Sequence, residues 1–293
     1  MKVFILILLL SFLSAVTNSQ FYNDSWAVII GINKYQNIRG LDYAVDDAND
    51  IKDLLLNKFN FSNENIILLR DQDATKDNIL TALYETAEKV GDNDRYMIFF
   101  AGHGTQKKLP AGGDKGYLLP VDADTSKLYL TGIDMNIIKD ISNETNAKHV
   151  LFLMDACYGG LMAINSRGLD TKTPGYMRKI TKDKGRQIIT AGGKDEEATE
   201  RTEWGNSAFT KNVIRGLQDE MADENDDGYI TVNELGNYLQ IKVTQDSDNA
   251  QTPQIRRYGT GEGEFVFTVT PPVVEDVKTA EEKPSTKQTV ISL

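Results

Sequence analysis

Short apolar runs with the composition of buried strands alternate with amphipathic helical patterns along most of this chain. The predicted strands are residues 26–32, 65–69, 96–101, 150–154 and 187–190, and the predicted helices are residues 45–59, 76–90, 133–141, 209–220 and 232–243. Alternation of this kind specifies a mainly parallel sheet with helices on both faces. The sequence therefore predicts an α/β fold, with residues 265–268 as a last edge strand.

The chain contains a single cysteine, Cys157, which directly follows one of these predicted strands and precedes Gly159 and Gly160. The crevice beyond the carboxyl ends of parallel strands is where α/β proteins bind their ligands. A free cysteine often only packs in a core, which is the alternative for this residue. Its position at a strand end instead favours a reactive thiol.

Only two histidines are available to activate that thiol, His103 and His149. His149 precedes Cys157 on the same predicted strand, so at about 3.3 Å per residue the two lie roughly 26 Å apart. His103 follows another apolar strand and is flanked by Gly102 and Gly104. We therefore expect His103 to be the base that generates the thiolate.

Several short segments together resemble the caspase-like cysteine peptidases, and within them the metacaspase and bacterial caspase-like branch rather than animal caspases. These segments are residues 28–35, 44–48, 100–104, 155–160, 205–210, 251–253 and 263–267. The resemblance implies a caspase-like α/β sandwich and a cysteine endopeptidase with a catalytic dyad of His103 and Cys157. The backbone N–H groups of Gly104 and Cys157 are the expected oxyanion donors, because Gly104 has no Cβ to obstruct a scissile carbonyl.

Two acids are candidates for a substrate-binding pocket. Asp155 lies two residues before Cys157, so in a strand both side chains share a face, and a buried acid there needs a positive partner. Asp47 matches the position at which the resemblance places a second acid of the pocket for the residue before the cleaved bond, called P1. Asp46 is the neighbouring alternative to Asp47, and interaction with the helix dipole is the alternative role for both Asp46 and Asp47. The pair predicts cleavage after Arg or Lys and disfavours Asp at P1.

Residues 223–234 fit the calcium loop of EF-hands in full. The expected ligands are Asp223, Asn225, Asp227, the Tyr229 carbonyl and Glu234. The alternative is a turn whose Asp and Gly residues only connect and cap two helices. The thiol chemistry itself requires no cofactor, so calcium is a candidate ligand or activator only.

A lysine near the start of the chain, Lys2, precedes an apolar stretch over residues 3–16, which is short for a membrane span of about 20 residues. Residues 1–19 are therefore predicted to be a signal peptide, which predicts a secreted protein or one in an endomembrane lumen, periplasmic or extracellular in a bacterium. Residues 21–270 form the predicted peptidase domain. Residues 271–293 are predicted to be a disordered tail.

Within the domain, the resemblance implies a large-subunit-like part to about residue 165, a linker over 166–186 and a small-subunit-like part over 187–270. The linker is rich in Lys and Arg within a chain of net charge −11. It is either a solvated loop or a site of self-cleavage by an enzyme with basic specificity. The acidic balance argues against nucleic-acid partners, and no stable membrane insertion is expected once the signal is removed.

Three other classes of function are compatible with parts of the sequence. A catalytically silent caspase-like binding module would have no use for an intact dyad and acid pair. A transpeptidase or ligase would use the same acyl-enzyme as a hydrolase, so the sequence does not separate the two. An acidic calcium-binding protein would explain residues 223–234 but not the dyad.

Overall fold

The computed structural model describes residues 21–156, 175–193, 196 and 199–269. The predicted signal peptide, Cys157, residues 166–174 of the predicted linker and the predicted tail lie outside these described residues.

The described strands and helices follow one another in the predicted alternating order, with several short additions. The strands are β1 (Ser25–Gly31), β2 (Ile66–Arg70), β3 (Arg95–Ala101), β4 (Gly104–Lys108), β5 (Asp114–Leu118), β6 (Ile133–Asp134), β7 (His149–Asp155), β8 (Gly185–Thr190), β9 (Glu200–Arg201), β10 (Asn206–Ser207), β11 (Tyr229–Thr231), β12 (Gln254–Arg257) and β13 (Val266–Thr268). The α-helices are α1 (Ala44–Lys58), α2 (Lys76–Lys89), α3 (Leu128–Thr131), α4 (Met135–Glu144), α5 (Tyr176–Ile180), α6 (Ala208–Gln218) and α7 (Val232–Asp246).

A six-stranded sheet in the order β12-β8-β7-β3-β1-β2 forms the centre of the fold. Every neighbouring pair is parallel except β12 and β8, which are antiparallel. The register aligns Gly31 with Ala101 and Ala101 with Asp155, so the carboxyl ends of β1, β3 and β7 form one edge. The predicted α/β fold with a mainly parallel sheet is confirmed.

Helices cover both faces of this sheet because successive strand side chains point to opposite sides. Leu151 and Leu153 of β7 belong to the core shared with α1, α6 and α7. Phe152 and Met154 belong to the core shared with α2 and α4. Asp155 continues the first set, which places its side chain on the α1 and α6 side of the sheet.

The prediction for residues 265–268 is wrong in its pairing. β13 forms a separate two-stranded antiparallel sheet with β11, and the strand at the edge of the central sheet is β12. Phe267 packs its ring 4.9 Å from that of Phe59, at the end of α1. Phe267 of β13 thus extends the core beside α1, and β13 does not widen the central sheet.

The described part of the predicted linker is folded rather than a solvated loop. Tyr176 and Ile180 of α5 are buried, and β8 begins at Gly185, so Arg186 lies within a strand. The Arg186 guanidinium donates hydrogen bonds to several backbone carbonyls, including that of Ala147. The basic side chains that stay exposed in this stretch are Arg178, Lys179, Lys182 and Lys184.

The predicted helix over residues 133–141 begins later than expected. Ile133 pairs with β5, and the Asp134 side chain accepts a hydrogen bond from Asn136 N at 2.9 Å, so it caps α4. The cap ends the strand and starts the helix at Met135. None of the helices in the described ranges is long and apolar enough to cross a membrane.

Candidate active site

The site is built where the carboxyl ends of three strands meet the first turn of α1. The Gly102 N–H donates to the Asp155 carbonyl at 3.2 Å, which ties the ends of β3 and β7 together. At Gly31 a Cβ would lie 2.4 Å from the Ala44 carbonyl oxygen, so only glycine allows α1 to approach the end of β1 this closely. This close approach brings the start of α1 to the sheet edge at which His103 follows β3.

His103 is held by contacts at both its backbone and its ring. Its backbone N–H donates to Tyr35 Oη at 2.7 Å, and its ring Nε2 lies 2.9 Å from the Arg39 carbonyl oxygen. Because a carbonyl oxygen only accepts, this contact assigns the ring proton to Nε2 and leaves Nδ1 as the acceptor. A Cβ at position 102 would lie 2.6 Å from Tyr35 Oη, which explains the glycine before His103.

Sequence reasoning did not identify Tyr35 or the Arg39 carbonyl as supports for His103. Burial raises the pKa of the Tyr35 phenol well above its ordinary value, so its hydroxyl stays neutral as an acceptor for His103 N–H. The Tyr35 and His103 rings also lie 5.0 Å apart between centroids. The only signal for this role in the sequence was that an aromatic residue, Tyr35, follows the first predicted strand.

His149 lies at the opposite edge of the sheet, where it pairs with Arg95 at the start of β3. Its Nδ1 lies 2.6 Å from Tyr22 Oη and its Nε2 lies 2.9 Å from the Asp183 carbonyl. Burial lowers the pKa of His149 to about 3. It is therefore a neutral core residue, remote from the edge where His103 lies.

Asp47 and Asp155 are brought together around Ser207. Asp155 Oδ2 accepts hydrogen bonds from Ser207 Oγ and, at 2.7 Å, from Thr210 Oγ1. Asp47 Oδ1 accepts from the Ser207 N–H at 3.2 Å. Asp47 and Asp155 are only 1% and 4% exposed, respectively. Asp47 of α1 and Asp155 of β7 are thus linked through Ser207, and the three residues form one wall of the site.

This pair of acids has no cation of its own in the described part of the chain. No Lys or Arg forms an ion pair with either carboxylate there, and Asp155 Oδ1 is buried without a hydrogen-bond donor. Burial raises the pKa of Asp155 to about 6. Burial and then the charge of Asp155 raise the pKa of Asp47 well above its ordinary value. Such a site is stabilised by any cation that enters it.

Sequence reasoning missed Ser207 and Thr210, which form this wall, and Glu200, which lies beside the start of α1. Ser207 Oγ also accepts from Thr210 N at 2.9 Å, so the same hydroxyl caps α6. The Ser-x-x-Thr spacing before an apolar helix was an available signal for the cap. Glu200 accepts from the backbone N–H groups of Asp42 and Tyr43 at 3.3 and 3.2 Å, and no local pattern indicated this contact.

Gly104, the expected oxyanion donor, is the first residue of β4 and directly follows His103. Asp46, the alternative to Asp47, is exposed on α1, whereas Asp47 is buried. The oxyanion hole and the dyad also require Cys157, which lies outside the described residues. Both therefore stay predictions from the sequence and its resemblance.

The predicted calcium loop joins α6 to α7 and satisfies its carboxylates internally. Asp223 Oδ2 accepts from Gly228 N at 2.9 Å, and Glu234 Oε1 accepts from Asn225 Nδ2 at 3.0 Å. Glu234 and Thr231 form a reciprocal capping box at the start of α7. Among the described residues, no three His, Cys, Asp or Glu side chains converge as a metal site. These contacts close the turn and cap α7, and calcium binding stays a prediction.

Two further loop residues of the calcium prediction have the same kind of role. Asp227 Oδ1 accepts from Tyr229 N at 3.0 Å, and Tyr229 belongs to β11. Burial is the main cause that raises the pKa of Glu234 to about 7. Hydrogen bonds from Thr231 oppose this rise, and the charges of Asp227 and Asp223 add to it.

The sheet, its covering helices and the His103 edge define the caspase-like class of α/β sandwich. Residues 24–260 match the family model described as the caspase domain. The chain therefore belongs to the caspase-domain family, whose metacaspase relatives are cysteine-type peptidases.

Curated relatives and solved structures agree with this membership. Metacaspase-1 of Eremothecium gossypii is 29% identical over 154 residues, which cover 48% of this chain and 33% of that protein. Metacaspase-1 of Arabidopsis thaliana is 28% identical over 145 residues, which cover 46% of this chain and 39% of that protein. The matches thus span well under half of either relative.

Two crystal structures share the fold at low sequence identity. A protein of Geobacter sulfurreducens superposes with a TM-score of 0.57 and 14% identity, covering 81% of this chain and 94% of that one. Caspase-1 of Spodoptera frugiperda superposes with a TM-score of 0.54 and 14% identity, covering 83% and 89%.

Proposed function

We propose that this chain is a cysteine endopeptidase that uses His103 and Cys157 to cleave peptide bonds after Arg or Lys. The observation that carries the basic specificity is the buried pair Asp47 and Asp155, which has no cation among the described residues. Asp155 Oδ1 also has no donor. A basic P1 side chain supplies both the missing charge and the missing donor.

The energetics favour a basic P1 side chain over the alternatives. A hydrogen bond to a charged group contributes about 1.5–3 kcal/mol, which corresponds to a preference of roughly ten- to over a hundredfold. An aspartate at P1 would add a further negative charge beside Asp47 and Asp155. The specificity for aspartate that animal caspases have is therefore disfavoured.

In the proposed mechanism, the Cys157 thiol transfers its proton to His103 Nδ1 and the thiolate attacks the carbonyl carbon of P1. The backbone N–H groups of Gly104 and Cys157 stabilise the oxyanion. The imidazolium then protonates the leaving amine, and an acyl-enzyme remains on the sulfur. His103 next accepts a proton from water, which attacks the acyl carbon; the C–S bond then breaks, the carboxylate product leaves, and the proton on His103 returns to the Cys157 sulfur.

The decisive assay compares fluorogenic peptides that differ only at P1, with Arg, Lys, Asn or Asp, for the wild type and Cys157→Ala. We expect turnover of the Arg and Lys peptides by the wild type alone. Turnover of the Asp peptide only, or activity that survives in Cys157→Ala, contradicts the proposal. No turnover of any peptide favours a binding module. Transfer of the acyl group to an added amine in preference to water favours a ligase.

Self-processing in the linker and activation by calcium are further parts of the proposal. Arg178, Lys179, Lys182 and Lys184 are exposed around α5, and residues 166–174 add further basic side chains. Incubating the full chain and Cys157→Ala, each with and without calcium, tests both. Persistence of both as one band contradicts self-cleavage, and an unchanged rate with calcium contradicts activation.

Export is proposed from residues 1–19 alone, which supply the apolar segment of a signal peptide. The mass of the mature protein from its native compartment tests this proposal. Cleavage close to residue 19 is the expected result, and an intact Met1 in a retained protein contradicts it.

A further inference from the structure

The Glu200 side chain forms hydrogen bonds with the backbone at the start of α1. The N-cap residue of α1, Tyr43, makes no side-chain cap hydrogen bond. Instead, Asn33 Oδ1 accepts from the Val45 N–H in the first turn at 3.0 Å. The two Glu200 carboxylate oxygens accept from the backbone N–H groups of Asp42 and Tyr43, just before the helix, at 3.3 and 3.2 Å. An acid at a helix N-terminus satisfies free N–H groups and interacts favourably with the helix dipole. Glu200 therefore supports the helix that carries Asp47.

Glu200 also adjoins the wall that Asp47 and Asp155 share. It lies directly opposite Ser207 in the antiparallel pair of β9 and β10, where Cβ atoms are about 4.5–5.5 Å apart. Ser207 is the residue that donates to both Asp155 and Asp47. Consistent with this proximity, the charge of Glu200 raises the pKa of Asp155 and of Asp47.

We propose that Glu200 is a third acid of the P1 pocket, whose charge strengthens binding of a basic P1 side chain and whose hydrogen bonds position α1. This inference rests on the proposed function, because it concerns the same pocket. An independent indication that the pocket takes a cationic ligand is the buried Asp155 Oδ1, which has no donor. In the described residues, the cations near this loop are already paired: Arg201 with Asp248, and Lys211 with Asp246.

The other acidic side chains near Glu200 can be named, so the effect of Glu200 can be distinguished from theirs. Asp42, Asp46 and Asp50 lie along the start of α1, and the Asp50 carboxylate accepts from Asn206 Nδ2 at 2.8 Å. Glu203 lies in the same loop as Glu200, but its side chain is 66% exposed. Glu203→Gln is therefore a matched control, since it removes the same charge without touching the pocket or α1.

The test measures binding without turnover. A labelled peptide with Arg at P1, and the same peptide with the neutral isostere citrulline, are titrated into Cys157→Ala by fluorescence anisotropy. The variants Cys157→Ala with Glu200→Gln and Cys157→Ala with Glu203→Gln are titrated in parallel. We expect Glu200→Gln to weaken Arg-peptide binding about two- to fivefold, with no change for citrulline. We expect Glu203→Gln to change neither.

The pH dependence adds a signature that a purely structural role does not produce. The pocket acids bind a cation only when ionised, and the charge of Glu200 raises their pKa. Glu200→Gln should therefore move the acid limb of Arg-peptide binding to lower pH. Glu200→Ala, which also removes both hydrogen bonds to the backbone before α1, should show the same limb and a lower Tm.

The outcomes separate this inference from the proposed function. Equal binding of Arg and citrulline peptides to Cys157→Ala overturns the basic pocket, and Glu200 falls with it. A clear preference for Arg that Glu200→Gln leaves unchanged in affinity and in acid limb overturns the role of Glu200 alone. In that case Glu200 only anchors the backbone that precedes α1.

Discussion

Ser207 uses one hydroxyl to connect the buried carboxylate of Asp155 to the start of α6. It donates to Asp155 Oδ2 and accepts from the backbone N–H of Thr210 at 2.9 Å. The position of the carboxylate and the first turn of the helix therefore depend on each other. A change at this hydroxyl should be detected both in stability and in the pH dependence of activity.

Ser207→Ala should lower stability and move the acid limb of kcat/KM on Arg peptides to higher pH. Loss of the cap costs about 1 kcal/mol. The Ser207 hydrogen bond lowers the pKa of Asp155, so its removal raises that pKa further above its ordinary value. Thermal unfolding and a pH profile of kcat/KM measure the two effects. Thr75→Ala is the control, because Thr75 caps α2 in the same way but lies outside the pocket. An unshifted acid limb in Ser207→Ala would contradict the expectation.

Asp155→Asn should lower kcat/KM for Arg and Lys peptides by about ten- to a hundredfold or more, since one charged acceptor is lost. The loss for a citrulline peptide should be much smaller, because asparagine keeps the shape and the acceptor oxygen. Parallel assays of the two peptides measure the difference. Asp46→Asn is the matched control on exposed α1 surface and should leave both rates unchanged. Equal losses for the charged and neutral peptides would argue for a structural effect only.

Asp155→Asn should also raise the Tm above pH 6. Burial raises the pKa of Asp155 from an ordinary 3.8 to about 6. Between these values the folded chain holds a proton that the unfolded chain has released, so the stability that Asp155 contributes falls as pH rises through this window. A shift of this size corresponds to about 3 kcal/mol. Melting curves at pH 4 and pH 7.5 measure it. The gain should be present at pH 7.5 and absent at pH 4, and a gain of equal size at both would refute this linkage.

Tyr35→Phe should lower kcat on Arg peptides about tenfold while leaving KM nearly unchanged. The substitution removes the acceptor for the half-buried His103 N–H, and loss of one hydrogen bond costs about 0.5–1.5 kcal/mol. Steady-state kinetics separate kcat from KM. Tyr96→Phe is the control, because Tyr96 Oη donates to the Leu83 carbonyl in the core, away from the site. It should lower the Tm without changing kcat. Loss of kcat in both variants would indicate a general loss of folded protein.

Local patterns in the sequence were sufficient to predict the order of the main strands and helices. Runs such as Tyr96 to Ala101 are apolar on both faces, which is typical of central parallel strands. Gly102 and Gly104 flank His103 directly after this strand ends. The pairing of β13 with β11 could not be predicted, because an isolated short strand pattern does not specify its partner.

The sequence by itself determined the fold class, the strand-end positions of His103 and Asp155, and the choice of His103 over His149. These features depend on periodicity and on distances along one strand. Only the tertiary structure decided that Ser207 joins Asp47 to Asp155, that Glu200 holds the backbone just before α1, and that residues 175–186 are folded. Each of these depends on hydrogen bonds or packing between segments far apart in the chain, for example 157 residues for Glu200 and Tyr43. Such contacts follow from how the helices pack on the sheet and leave no periodic signal in either segment.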